Sequence, residues 1–215
     1  MGILDIHTHH AAPQPEGIIS LRADKDTIAR MTDGQAYSVG IHPWDTINEP
    51  TESEWRVLEA AAALPQVLAI GEAGVDLSGK SGPMYVQLQV LRRQIELSER
   101  LCKPMVIHNV KAHDIIVGLR RDLVPVQNWA IHGFRGKPEV AEMLLKRGCY
   151  LSFGELFNRE TVQKIPEDKI LAETDESPLT IEEIIARLSE ARGKDLTETI
   201  RANTAKFLEG VSTNK

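Results

Sequence analysis

The stretch "VLAIGEAGVD", Val67 to Asp76, opens on four apolar residues with no polar residue alternating between them. A strand with one face in water alternates apolar and polar side chains, whereas a strand covered on both faces does not. The run therefore reads as a buried parallel strand, with Glu72 standing just beyond its apolar half. Seven further runs share its character: "ILDIHT", "GIISLR", "YSVGIHP", "PMVIHN", "WAIHGF", "CYLSFG" and "ILAETD".

Helical patterns lie between the runs. Across Met84–Cys102 the apolar residues Met84, Leu88, Leu91, Ile95 and Leu101 keep the helical period. Thr51-x-x-Glu54 and Thr180-x-x-Glu183 fit capping boxes that open helices. Gly148, after Lys146 and Arg147, reads as a helix stop with cations at the negative end of the dipole. Ile181, Ile184, Ile185 and Leu188 make one inward stripe, and Leu196, Ile200 and Phe207 another. Eight strands alternating with helices predict an α/β fold, a (β/α)8 TIM-type barrel, with a doubly wound open sheet as the alternative. The barrel is expected to be distorted. Only "AAPQPE" separates the first strand from the second, so a helix is missing or shortened there. One barrel domain is expected over residues 1–208, followed by a frayed C-terminal tail, 209–215.

Composition sets the boundaries. The 215 residues, 42% hydrophobic and 26% charged, suit one large domain that buries its own core. The two cysteines, Cys102 and Cys149, have neither metal-ligand nor framework spacing and read as free thiols of a reducing compartment. The N-terminus shows no basic region ahead of an apolar stretch, and Ile6 occupies the position where a myristoylation signal carries a hydroxyl residue. No run approaches the ~20 apolar residues of a membrane span. A cytoplasmic protein without a membrane or an obligate protein partner is the expectation. A net charge of −6 argues against holding nucleic acid by bulk electrostatics, but leaves room for a phosphate substrate at a local metal site.

The strand ends carry the chemistry. In "DIHTHH" the two-residue repeat of a strand sends His7 and His9 to one face and Ile6 and Thr8 to the other. Asp5 is expected on the histidine face, one step deeper, orienting a ligand. Glu72, His108, His132 and Asp175 each end an apolar run. In a (β/α)8 barrel such ends converge on one mouth. Singly, each has an ordinary explanation as a core histidine or a paired acid. Together, two buried carboxylates beside four imidazoles call for a shared cation, because an unpaired buried charge costs several kcal/mol. The set could hold two divalent ions joined by a carboxylate. Mixed imidazole and carboxylate donors suit Zn, Mn, Fe or Ni, with Mg as a labile alternative. His42 in "GIHPW" is either a contact for a substrate oxyanion or a turn histidine. Lys111, Arg135 and Lys137 follow ligand strands and could hold substrate phosphates. His10 is expected to make a loop contact, His113 to be a solvated helix residue, and Cys149 to start its strand at the wrong end for a ligand.

With these residues in place, the sequence resembles the TatD family of metal-dependent hydrolases of the amidohydrolase-like superfamily. The likeness runs from Asp5 to about Phe207 and is carried by "DIHTHH", "GIHPWD", "AIGEAGVDL", "VIHNVKAHD", "IHGFRG" and "LAETDESP", in family order. The resemblance implies deoxyribonuclease or related phosphodiesterase activity. It implies one ion on His7, His9 and Asp175 and another on His108 and His132, with Glu72 between them. Val110 and Lys111 replace the family's usual Arg, and Gly133 and Arg135 stand where Cys-Phe-Ser is usual. The expected reaction uses a bridging hydroxide with Asp175 as general base, and a nucleic acid or small phosphodiester as substrate. A cyclic amidase or lactonase at the same site is the alternative. A non-catalytic metal module would require a coordinatively closed site.

Overall fold

All eight apolar runs form strands in a computed structural model, which describes residues 2–211. They are β1 (Asp5–Thr8), β2 (Gly17–Arg22), β3 (Ala36–Gly40), β4 (Val67–Asp76), β5 (Met105–Val110), β6 (Trp129–Ile131), β7 (Tyr150–Phe153) and β8 (Ile170–Ala172). Each pairs in parallel with its chain neighbours, and the pairing of Asp5 with Ala172 closes the barrel. The open-sheet alternative is thereby excluded.

Among the described residues seven α-helices surround the strands: α1 (Glu52–Ala62), α2 (Met84–Leu101), α3 (His113–Leu123), α4 (Pro138–Leu145), α5 (Arg159–Lys164), α6 (Ile181–Arg192) and α7 (Thr197–Leu208). Both capping boxes are present, with Thr51 and Glu54 opening α1 and Thr180 and Glu183 opening α6. The helix read over Met84–Cys102 ends at Leu101, with Cys102 turning the chain in the left-handed conformation. None of these helices is long and apolar enough to cross a membrane.

The stunted first unit is real, and it extends further than expected. Among the described residues no helix joins β1 to β2, and β2 leads to β3 through a single 3-10 turn, Ile28–Arg30. A cavity of about 350 Å³, lined by Asp5, His10, Gln14, Glu16 and Thr174 among others, lies beside this helix-poor seam.

The core has two layers. Trp129, Met105, Ile107 and Leu151 pack outward against helix residues such as Leu91, Ile116 and Leu188. Inside the barrel, Ile6, Ala69, Val106, Ala130, Tyr150 and Leu171 form a separate cluster closed by Phe207 of α7. That apolar plug seals the floor beneath the strand ends, so the space above it is left to polar side chains. Beyond α7, the backbone of Val211 exchanges two hydrogen bonds with the Gln127 side chain. Residues 212–215 of the expected tail lie outside the described residues.

The simple alternation expected of β1 fails. Asp5 pairs with Gly17 and Thr8 with Ile19, so three steps on β1 match two on β2. One extra residue in a strand is a bulge, and it reverses the facing of everything beyond it. Ile6 therefore lies in the inner cluster rather than outward. Asp5 and Thr8 both meet Thr174 instead, away from the imidazoles.

Candidate metal centre

Each strand end delivers its side chain to one place. His7 lies in β1 and His9 just past its end, and each puts Nε2 3.5 Å from Glu72 Oε2 and 3.7 Å from Asp175 Oδ1. These separations are too long for hydrogen bonds. They match the edges of a tetrahedron, about 3.4 Å for ligands at the usual ~2.1 Å from a small divalent cation. Neither ring nitrogen of the fully buried His7 has a hydrogen-bond partner. Leaving such groups unpaired costs about 1–3 kcal/mol each. A cation among these four donors would satisfy Nε2 of His7, so the residues fit a metal.

The other oxygen of Glu72 faces a second group. Its Oε1 lies 2.5 Å from His108 Nδ1, 2.7 Å from His132 Nε2 and 3.1 Å from His42 Nε2. His42, read as either a substrate contact or a turn histidine, caps its 3-10 turn by accepting the Trp44 N–H and also belongs to a ligand-capable triad with Glu72 and His108. The backbone makes this meeting possible where β4 crosses β5. Gly74 pairs with His108, and a Cβ at Gly74 would overlap the His108 carbonyl oxygen. Gly71 has φ +149, and a Cβ there would strike Val106. Both positions require glycine, and their close approach sets Glu72 beside His108.

Two acids hold the histidines from behind. Asp76 accepts at Oδ2 from Trp44 Nε1 at 2.7 Å and lies 3.2 Å from His108 Nε2. Glu173 Oε1 lies 3.3 Å from His132 Nδ1 and accepts the Gly133 N–H at 2.6 Å. A carboxylate on the far nitrogen fixes the tautomer and leaves the near nitrogen free to ligate. Sequence reasoning missed both. Asp76 keeps the two-residue parity of Glu72 within β4, a weak signal, whereas Glu173 lies past the end of β8, where strand parity gives none. Asp5, expected in this role, touches no imidazole. Its carboxyl bonds the Thr174 hydroxyl and the backbone N–H of His7, and burial pushes it up to about 7 despite those bonds.

The electrostatics follow from burial against charge. Burial alone would raise the Glu72 carboxyl, yet the adjacent His132 charge and bonds from three histidines pull it well below its ordinary value. Burial would likewise lower His132, but Glu72 and Glu173 on either side hold its proton far more tightly than usual. His7 moves the other way, down to about 3, through burial and the charge of His132. His9 is raised by its Glu72 contact. Asp175 is raised by burial and by the nearby Glu173 charge. Glu173 and Glu72 both act on Asp175 as like charges, which positive charge at the centre would offset. At an effective dielectric near 20, like charges ~4 Å apart repel by about 4 kcal/mol.

The remaining residues divide. Lys111 and Arg135 line a cavity of about 640 Å³ that opens beside His108, His132 and Asp175, together with Trp44 and Lys80. Lys137 caps α4 and does not line it. His10 makes the expected loop contact, with Nε2 2.8 Å from the Ser177 carbonyl oxygen. His113 is not a solvated mid-helix residue: it opens α3, bonds Asn109 and lines the same cavity. Cys149 is buried at the opposite end of β7 from this mouth.

Comparison with known proteins gives a consistent picture. A family model described as "TatD related DNase" matches residues 19–209. An uncharacterized metal-dependent hydrolase of Bacillus subtilis, YabD, is 33% identical over 178 residues, which cover 76% of this chain and 69% of that protein. The protein named 3'-5' ssDNA/RNA exonuclease TatD of Citrobacter rodentium is 27% identical over 199 residues, 78% of this chain and 73% of its own. Among solved structures, the TatD homologue YjjV of Escherichia coli superposes with a TM-score of 0.79 at 22% identity, covering 95% of this chain and 97% of that one.

Proposed function

Because the chain belongs to the TatD family of metal-dependent hydrolases, we propose that it hydrolyses phosphodiester bonds, in single-stranded nucleic acid or in small diesters, at a pair of divalent ions. The observation that carries this reading is the division of Glu72. One of its oxygens faces His7 and His9, and the other faces His108, His132 and His42. A carboxylate split in this way suits a bridge between two cations. His7, His9 and Asp175 would hold one ion, and His108 and His132 the other, with His42 beside it. Zn, Mn, Fe, Ni and Mg all remain compatible with such donors.

Bound there, the ions would act as Lewis acids and lower the pKa of a water towards neutrality. Asp175 stands at the cavity edge, where its carboxylate takes the water's proton as the oxygen attacks phosphorus. The bond from phosphorus to the leaving oxygen breaks, and Asp175 returns the proton to that oxygen. Lys111 and Arg135 on the cavity wall hold the non-bridging phosphate oxygens, neutralising charge as it builds. The plugged floor under the histidines keeps bulk water away from below. The free thiols Cys102 and Cys149 support a reducing, cytoplasmic setting.

The test is to strip the protein with a chelator, reload it with each metal, and count bound ions by elemental analysis. Activity is then measured on single-stranded oligonucleotides, bis(4-nitrophenyl) phosphate and a lactone panel. Two ions per chain with diester cleavage are expected. One ion at saturation would overturn the paired site, and lactone cleavage without diester cleavage would overturn the reaction class.

A further inference from the structure

Trp44 is the feature of the mouth that the metal chemistry does not use. It sits in the 3-10 turn Pro43–Thr46 that follows His42. Its indole is 37% exposed, whereas Trp55 and Trp129 are 5% and 0% exposed. Exposing so large an apolar ring forgoes the favourable burial that the other two obtain. The ring is also held in place. Nε1 donates to Asp76, and the ring meets His42 edge-on with centroids 4.9 Å apart. The His108 ring lies 6.3 Å away.

The charges around the indole point to an anionic, flat ligand. Lys80 Nζ lies over the ring, 4.8 Å from its centroid, and the Arg22 guanidinium carbon lies over it at 5.6 Å, with Arg22 also paired to Asp45 at 2.8 Å. Lys80, Lys111 and Arg135 line the cavity that Trp44 shares with the metal centre, and none of the three pairs with a carboxylate among the described residues. A chain with a net charge of −6 thus sets Lys80, Lys111 and Arg135 in the one cavity that also holds this exposed indole. A rigid aromatic face flanked by cations is how proteins hold unpaired nucleotides, the base on the ring and the phosphate on the cations. A base inside a duplex has both faces already stacked and cannot use such a platform.

We propose that Trp44 is a nucleobase-stacking platform adjoining the metal centre, flanked by Lys80 and Arg22, which selects unpaired nucleotides over base-free phosphodiesters. This rests on the phosphodiester reading above and names the residue that chooses between the two substrates it allows. Trp44 here touches substrate through its face, while its N–H positions Asp76 behind His108.

The test is stopped-flow fluorescence of the metal-loaded full chain, because Trp44 is the accessible emitter. The probes are a phosphorothioate oligothymidylate, the same length of abasic strand, and the oligothymidylate paired in a duplex. The thymidylate strand should quench the emission and bind at least about tenfold more tightly than the abasic strand or the duplex. The variants lack this emitter and are followed instead by the anisotropy of dye-labelled strands. Trp44→Phe keeps a ring but loses the N–H, and should retain this preference for bases, whereas Trp44→Leu should bind both single strands alike. Equal binding of thymidylate and abasic strands by the unaltered chain would overturn the platform. So would a Trp44→Leu chain that weakens both strands by the same factor, since the indole would then act only through Asp76. The two readings fail separately. Cleavage of a phosphodiester abasic strand without base-dependent binding retains the function and overturns the platform. Base-dependent quenching with no diester cleaved under any metal retains the platform and overturns the function.

Discussion

Asp175 shows how much one residue can be asked to do. Its φ of +54 is left-handed, a conformation that Asp and Asn tolerate better than most side chains. Its backbone is locked to β1, donating to the His7 carbonyl oxygen and accepting from the His9 N–H. The carboxylate is thereby held at the same distance from both histidines. Asp175→Asn preserves this backbone and removes the proton acceptor. Its melting temperature should stay within a few degrees, while turnover falls by at least about a hundredfold; a near-normal rate would remove Asp175 from the mechanism. Glu173 acts one step back, on His132 Nδ1. Glu173→Gln should weaken metal affinity by about 10–100-fold, measured by titration calorimetry; unchanged affinity would make its contact incidental. At this scale the sequence was readable wherever a polar residue ended an apolar run, as at Glu72, His108, His132 and Asp175. It was less readable one strand period away. Asp76 and Glu173 look like ordinary acids until their imidazole partners are seen across the barrel.

Strands β4 and β5 carry the tightest structural requirement among the elements. The extended strand Val67–Asp76 reaches from the core to the mouth, and its register against β5 shifts between Ile70 and Ala73. Gly74 lets β4 lie against the His108 backbone at that crossing. Gly74→Ala should cost about 1–3 kcal/mol in a denaturant melt, and should weaken metal binding because Glu72 and His108 move apart. A loss of stability with metal affinity intact would show that the crossing serves packing alone. Helix boundaries were legible because their signals are local. The capping boxes at Thr51 and Thr180 close within four residues, and the apolar period of α2 needs no partner to be recognised. The bulge in β1 was not legible. It arises from a mismatch with β2, and nothing within "DIHT" announces it.

For the molecule as a whole, folding and metal binding are coupled. The barrel brings buried carboxylates and imidazoles together and leaves both nitrogens of His7 unpartnered, so the metal-free state carries a local penalty. Any ion that binds only the folded chain stabilises it by mass action, by about 4 kcal/mol at a thousandfold excess over Kd. For a chain of this size that corresponds to a rise of roughly 10 °C in melting temperature. Scanning calorimetry with and without added Zn or Mn should show it, and EDTA should reverse it. An identical melt in chelator and in metal would mean that the centre does not bind ions in the folded state.

The sequence by itself determined the class of fold, the eight strands, the helix limits that carry a capping or stop signal, and the side chains that end the strands. Those features depend on burial periodicity and capping, which act over a few neighbouring residues. Only the tertiary structure decided that Asp5 turns away, that His42 joins Glu72, that Asp76 and Glu173 stand behind the histidines, and that Trp44 is exposed beside them. Each of these depends on inter-strand register and on distances between residues far apart in the chain. A one-dimensional pattern carries parity along a strand, but not the point at which its neighbour slips by one.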